Sequence, residues 1–222
     1  MSKIIVDIET AGFDFESFDQ KSQEYLLKFS ETDEEKEVTK KKMSLYPFTA
    51  EIIAIGILNP ETMRGTVLYQ DLNSKTPKLE EDDIVYESGH EAEILEKFWD
   101  IVKTYDQVIT FNGRGFDAPF LMLRSAVNKV RATKNLLGYR YDYKEHCDLM
   151  EQLTFYGAVR KFNLEFYAKA FGIKSPKADG VDGSMVGDLY KAGKYMEIAR
   201  YCFRDLVATK ELYDYWDKYL RF

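Results

Sequence analysis

One short stretch near the start constrains the fold more than any other: Lys3-Ile4-Ile5-Val6-Asp7-Ile8-Glu9. It reads as a strand, and on a strand alternate side chains face opposite sides. Ile4, Val6 and Ile8 then face one way, and Ile5, Asp7 and Glu9 the other. A chain that buries this strand must hold two carboxylates side by side at its end. Like charges repel, and burial raises the cost. A divalent cation between them removes the difficulty, and an all-oxygen ligand set suits Mg²⁺ or Mn²⁺. Taken alone the pair is ambiguous, because Asp-x-Glu is common and usually lies on a solvated strand face.

Further elements follow from periodicity. Glu51 to Leu58 is a second apolar run, ended by the turn signal Asn59-Pro60. Gly65 to Tyr69 gives a third strand, and the three early strands suggest an antiparallel meander. Ala92, Leu95, Phe98, Trp99 and Val102 fall at helical spacing. Val108 to Phe111 reads as a short buried strand. It is followed by the turn Asn112-Gly113-Arg114-Gly115 and a helix opening at Asp117-Ala118-Pro119, with Phe120, Leu123 and Val127 on its apolar face. His146 to Leu149 reads as a last short strand. From there the chain is expected to be helical to its end, broken at Gly172 to Gly183. This order implies a mixed α/β arrangement.

The segment Phe13 to Tyr46 stands apart. Its centre, Glu31 to Lys42, is almost all charge, which predicts a solvated and partly helical insertion. It is too long for an ordinary strand connection, so it is either a surface excursion or a lid. The 222 residues otherwise fit a single domain, 1–222, carrying this insertion at about 13–46.

Composition narrows the function classes. Hydrophobic residues at 45% supply a core, and charged residues at 31% a solvated surface. No run of about 18 apolar residues exists, so no membrane span is expected, and the N-terminus has no signal-peptide pattern. Cys147 and Cys202 make neither a disulfide framework nor zinc-ligand spacing, so a reducing, cytoplasmic setting is expected. A net charge of −7 argues against gripping long duplexes by charge alone. Bound divalent cations would reverse the field locally.

Two more constellations join the Asp-x-Glu pair. In Phe111-Asn112-Gly113-Arg114-Gly115-Phe116-Asp117 a strand ends, the backbone turns on glycines, and Asp117 stands at a helix start. There it reads as a helix cap, a role compatible with a site residue because a capping Asp can still reach a metal through water, and Asn112 is likewise readable as a turn residue. In Tyr201-Cys202-Phe203-Arg204-Asp205, Tyr201 and Asp205 lie four apart, on one helix face. A solvated tyrosine over an acid is the plain alternative.

Taken together, in this order and spacing, the three resemble the DEDD superfamily of 3′→5′ exonucleases in its tyrosine (DEDDy) branch. Within that branch they resemble stand-alone proofreading-exonuclease-like domains related to family B DNA polymerases. The resemblance runs from Lys3 to Tyr213. It includes Leu45-Tyr46-Pro47, Cys147-Asp148-Leu149-Met150 and Gly180 to Val186, while Phe13 to Tyr46 has no match. The superfamily's histidine branch is excluded, because the only histidines, His90 and His146, are far from Asp205. His90 reads as a helix-start residue and His146 as structural.

The resemblance implies an RNase H-like fold, a mixed sheet flanked by helices. It also implies two divalent metal ions, Mg²⁺ or Mn²⁺, held by Asp7, Glu9, Asp117 and Asp205. Two such ions stabilise the attacking and leaving oxygens of an in-line phosphoryl displacement. Tyr201 would aim the attacking water, since a phenol with a pKa near 10 is a poor base at neutral pH. Thr10, Asn112 and Phe116 resemble substrate-side positions, although Phe116 also reads as core. Asp148 matches an acidic position that supports either the site or the fold. Lys174 and Lys177 lie on a loop that either meets phosphates or is simply solvated.

The expected activity is release of mononucleotides from the 3′ end of single-stranded nucleic acid, DNA favoured. The alternatives are an RNA-trimming nuclease and a catalytically idle binding or scaffold domain. Idle relatives usually lose one or more of the carboxylates, and all are present here. A polymerase is not expected at this length. A DNA polymerase or a repair complex is the partner the resemblance suggests.

Overall fold

The computed structural model describes residues 1–71, 78–177 and 180–221. Seven strands form one mixed sheet: β1 (Lys3–Gly12), β2 (Ala50–Leu58), β3 (Gly65–Gln70), β4 (Leu79–Glu81), β5 (Ile84–Gly89), β6 (Gln107–Thr110) and β7 (His146–Asp148). Their spatial order is β4-β5-β3-β2-β1-β6-β7. The expected antiparallel meander of β1, β2 and β3 is present. Parallel β6 and β7 extend it on one side and parallel β5 on the other, with β4 antiparallel to β5 at the edge. Sequence periodicity missed β4 and β5.

Eight α-helices accompany the sheet among the described residues: α1 (Gln20–Leu26), α2 (Asp33–Lys42), α3 (Glu91–Val102), α4 (Asp117–Val127), α5 (Leu149–Leu153), α6 (Leu164–Phe171), α7 (Val186–Lys191) and α8 (Tyr195–Tyr219). The alternation of β1 decides which layer meets which face. Ile4, Val6 and Ile8 pack with Ile94, Leu95, Phe98 and Trp99 of α3 and with Phe120 of α4. Ile5 faces the opposite layer, with Ile198, Cys202, Leu206 and Leu212 of α8. Each large apolar side chain buried in this way contributes roughly 1.5–3 kcal/mol.

α4 differs from expectation in the face it buries. Ala118, Phe120, Leu121, Arg124 and Ser125 are buried, whereas Leu123 and Val127 lie in water. A buried ion pair supplies the reason. Arg124 donates through Nε to Glu91 Oε1 at 2.8 Å and through Nη2 to Oε2 at 2.5 Å, turning its own stripe of the helix inward. Glu91 also accepts from the Ile52 N–H at 2.8 Å and from Asn128 Nδ2 at 2.8 Å, so its charge is fully compensated.

The 13–46 segment has a fixed neck and a solvated tip. α2 buries no residue. Its stability is local: a Thr32–Glu35 capping box, acids in the first turn, and Lys40, Lys41 and Lys42 in the last. The neck is closed by the Phe13 N–H donating to the Thr49 carbonyl at 2.9 Å and by Thr49 Oγ1 donating to the Met43 carbonyl at 2.7 Å. Arg124 fastens it further, reaching the Pro47 carbonyl at 3.1 Å and lying over the Phe13 ring at 5.4 Å.

His90 caps α3 as expected, its N–H donating to Glu93 Oε2 at 2.8 Å. His146 is buried between Thr110 Oγ1 at 2.8 Å and the Leu136 carbonyl at 2.7 Å, and burial lowers its pKa to about 4. The late helices break at Gly172 to Gly183 as expected, residues 178–179 within it lying outside the described ones. A second break, residues 154–163 between α5 and α6, contradicts the expected continuous helix: the chain turns there through left-handed Phe155 and Tyr156 and Gly157.

Candidate active site

Local geometry places each carboxylate. Asp7 and Glu9 share the face of β1 that looks toward α8, and their partners on β2 are the small residues Gly56 and Ala54. Gly56 is required there. A Cβ at this position would come within 2.7 Å of Leu206 Cδ1 and 2.8 Å of Cys202 Sγ, so its absence lets α8 descend onto the sheet. Immediately beyond, the register skips Ile53 between the Glu9–Ala54 and Thr10–Ile52 pairs. Such a bulge increases local twist and re-aims side chains, and it falls beside the acids.

α8 then delivers Asp205 and Tyr201, both buried, to that face. Asp117 arrives from the other side. Paired residues of β1 and β6 run only from Lys3 to Ile5, and past that point the Ile8 N–H donates to Asp117 Oδ1 at 3.1 Å. The helix-cap reading of Asp117 is therefore corrected: the cap position of α4 is Phe116, and the Asp117 carboxylate is turned to β1 instead.

The electrostatics of the four acids are strained. Burial first, then the charges of Asp205, Asp117 and Glu9, push the Asp7 carboxyl well above the usual carboxylate range. Burial, Asp205 and Asp117 do the same to Glu9. Asp117 is pushed up to about 7 by burial, with Asp148 and Asp205 adding to it. Asp205 is pushed up to about 6 by burial, moderated by the Tyr201 hydroxyl, Arg204 and Lys177. Burial and the surrounding acids also raise the Tyr201 phenol, which stays protonated and serves as a donor.

Cys202 is a neighbour that sequence reasoning missed. Its Sγ lies 3.7 Å from both Asp7 Oδ2 and the Asp7 carbonyl, and it groups with Asp7 and Glu9 within 4.8 Å. The available signal was its place three residues before Asp205, on the same helix face. Its thiol is pushed far up by burial and by Asp7, so without metal it backs Asp7 as a protonated donor.

Thr10, Asn112 and Phe116, the positions the resemblance puts on the substrate side, lie on the same elements as the acids or directly before them in sequence. Thr10 follows Glu9 on β1, just past the bulge, and its hydroxyl proton is spent on the Ser44 carbonyl of the insertion at 2.7 Å, leaving only lone pairs free. Asn112 sits at φ 63°, the left-handed turn conformation, and Phe116 is half-buried against Phe120 with ring centroids 5.2 Å apart. Gly113 is pressed onto Thr110, whose side chain a Cβ would penetrate.

Asp148 organises the whole turn. It accepts from the N–H groups of Asn112 at 3.0 Å, Arg114 at 2.9 Å and Met150 at 3.0 Å. It thus supports both the second-motif loop and the start of α5. Lys177 is ion-paired with Glu165 at 3.1 Å and lines a cavity of about 380 Å³ with Tyr201, Asp205, Asn163 and Leu164. A second cavity, of about 610 Å³, lies between the insertion and α7 and reaches Thr10 and Gly183.

Comparison with known proteins adds three findings. A family model described as a predicted 3′-5′ exonuclease related to the exonuclease domain of PolB matches residues 50–220. That span begins at β2, so Asp7 and Glu9 on β1 lie before it. DNA polymerase 1 of Sulfurisphaera ohwakuensis is 30% identical over 146 residues, covering 58% of this chain and 16% of the polymerase. The DNA polymerase of red sea bream iridovirus is 25% identical over 173 residues, covering 68% of this chain and 18% of the polymerase. The chain thus spans less than a fifth of the curated relatives it matches. Among solved structures, the family B DNA polymerase of the hyperthermophilic archaeon Pyrobaculum calidifontis superposes with a TM-score of 0.62 at 16% identity. The match covers 97% of this chain and 24% of that polymerase. At that identity the likeness shows the fold, the RNase H-like α/β arrangement.

Proposed function

Because the chain belongs to the family of predicted 3′-5′ exonucleases related to the exonuclease domain of PolB, we propose that it hydrolyses the terminal phosphodiester bond at the 3′ end of single-stranded nucleic acid, DNA favoured. One observation carries this reading: Asp7, Glu9, Asp117 and Asp205 converge from three elements, with carboxyls held above their usual range. Burial of that many acids costs stability unless cations compensate them.

The donor set fits two divalent ions. It offers hard carboxylate oxygens, with Cys202 the soft donor grouped beside them among the described residues. Asp7, Glu9, Asp117 and Asp205 would hold Mg²⁺ or Mn²⁺, which when bound supplies a low-pKa water and neutralises charge on the phosphoryl oxygens.

The chain's own groups do the rest. Tyr201 keeps its proton, which meets Asp205 in the metal-free protein; with cations on the acids that hydroxyl would turn to donate to the attacking water and orient it. Asp117 is locked by the Ile8 N–H, so its geometry is set before substrate arrives. Asp148 holds the Asn112–Arg114 backbone and with it the wall that meets the terminal nucleotide. Thr10 presents oxygen lone pairs toward the terminal sugar, because its proton is committed to Ser44.

The test is digestion of end-labelled single-stranded DNA and RNA of one sequence, with Mg²⁺, Mn²⁺ or EDTA. Stepwise shortening from the 3′ end that needs metal and vanishes in Asp205→Ala is expected. Failure to degrade either strand with either metal overturns the reading.

A further inference from the structure

We propose that the aromatic and arginine-bearing surface formed by residues 139–141 and 155–166 is a binding track for single-stranded nucleic acid upstream of its 3′ end, bases stacking on the rings and phosphates meeting Arg160 and Lys161. It deepens the exonuclease reading and rests on it for the position of the 3′ end.

Large rings are displayed here where water would normally exclude them. Tyr139 is 74% exposed, Tyr141 57%, Phe155 56% and Phe166 53%. They are pre-organised. Phe162 and Phe166 stack at 4.3 Å with an interplanar angle of 11°. Tyr141 packs between Tyr139 at 5.7 Å and Tyr156 at 4.9 Å. The chain at Phe155 and Tyr156 is held at φ 50° and 57°, left-handed values that non-glycine residues adopt at a cost. The Tyr156 N–H donating to the Glu151 carbonyl at 2.7 Å secures that turn. Rings held in place offer stacking faces to any base, which makes such binding tolerant of sequence.

Cations interleave the rings. Arg160 lies 5.1 Å from the Phe162 centroid and Arg140 6.0 Å from that of Tyr141. Arg140 is held by Glu151 at 2.7 Å. Arg160 and Lys161 are exposed and make no ion pair among the described residues. From Phe155 to Phe166 the sequence has these two cations and one acid, Glu165, which is paired with Lys169 and Lys177, within a chain of net charge −7. The track is thus locally complementary to a phosphate backbone where the molecule as a whole is not.

Its position joins it to the site. Arg114 of the second-motif loop donates to the carbonyls of Gly138 at 2.9 Å and Tyr139 at 3.1 Å. Phe162 contacts Tyr167 at 6.3 Å, and Tyr167 contacts Phe111, next to Asn112, at 5.6 Å. Asn163 and Leu164, directly after Phe162, share a cavity with Tyr201 and Asp205. The phenylalanine cluster therefore borders the cavity that Tyr201 and Asp205 line, and the tyrosine cluster is tied to the second-motif loop through Arg114.

The experiment measures binding separately from hydrolysis. Fluorescein-labelled dT3, dT12 and rU12 are titrated with the full chain by anisotropy in Ca²⁺, at several salt concentrations, while Mn²⁺-dependent digestion is followed in parallel. The wild type is expected to bind a 12-mer well above dT3. Phe162→Ala is expected to lower 12-mer affinity roughly 5- to 150-fold, the loss of one stacking ring. Arg160→Ala/Lys161→Ala is expected to lower the salt slope by about 1.4, or 0.7 per phosphate contact. That second variant changes only exposed side chains, so it remains informative should Phe162→Ala fail to fold. Binding of dT12, rU12 or both supports the track and tells which sugar it accepts. The track is overturned if neither 12-mer binds better than dT3, the outcome for a protein-docking surface, or if folded variants keep wild-type affinity and slope. Track-dependent binding without any digestion would sink the exonuclease reading and leave the track standing.

Discussion

At the scale of single residues, Asp7 and Tyr201 separate the chemistry of the site from its cost. Asp7 is ionised only against burial and three neighbouring acids. Asp7→Asn removes that charge at nearly constant shape. We expect it to raise the melting temperature of the metal-free protein at pH 8 while lowering turnover by at least about 10²–10³-fold, as for loss of a positioned electrostatic group. Melts in EDTA and single-turnover digestion check the two halves, and a lower apo melting temperature would contradict the strained cluster. Tyr201→Phe keeps the packing ring and removes only the donor. Turnover should fall by about 10–10³-fold with Mn²⁺ affinity retained. A wild-type rate in that variant would leave Tyr201 as packing alone.

At the scale of elements, the second-motif loop depends on one side chain. Asp148 ends β7, begins α5 and accepts from the backbone on both sides of Gly113. Asp148→Ala strands the buried N–H groups of Met150 and Glu151, each at about 1–3 kcal/mol, and frees the part-buried ones of Asn112 and Arg114. A drop in melting temperature of many degrees is expected, because 1 kcal/mol is worth roughly 2–4 °C in a chain of this size. Hydrogen exchange should rise first at Asn112 and Arg114. An unchanged melt with protected amides would show that water replaces the carboxylate. The insertion obeys the opposite logic. Its tip is stabilised by capping and charge order within α2, while its neck couples to the body through Thr49, Arg124 and the Thr10–Ser44 bond.

At the scale of the whole molecule, the proposed site is expected to be a stability defect that a bound cation relieves. Carboxyls whose pKa is higher in the folded than in the unfolded chain bind more protons when folded. Their contribution is full below the ordinary range near pH 4 and is lost as pH rises through about 6 for Asp205 and about 7 for Asp117. The metal-free protein should therefore lose stability between pH 5 and pH 8. Mn²⁺ should restore it most at pH 8, by about 2.7 kcal/mol at a hundredfold excess over its dissociation constant. Calorimetric melts across this range, with EDTA and with Mn²⁺, test the claim. A flat profile and a midpoint indifferent to metal would argue against a preformed site.

Much of this arrangement was legible in the sequence, for reasons of short range. A period of two places Asp7 and Glu9 together, and a spacing of four places Tyr201 with Asp205, whatever the rest of the chain does. The apolar runs of β1 and β2 and the glycines after β6 are equally local signals. The expected face of α4 failed because a buried Arg124–Glu91 pair, linking residues 33 apart, outweighed hydrophobic periodicity. β4 and β5 were missed because they are short strands at one end of the sheet, β4 of three residues and β5 of six, defined by partners more than by pattern. Convergence of the site was likewise beyond local reading. Cys202 meets Asp7 across 195 residues of sequence, and Gly56 permits this only because α8 crosses β2 at that point. The sequence by itself determined which side chains share a face. The tertiary structure decided which faces meet, because burial, close approach and charge compensation depend on contacts that no local period encodes.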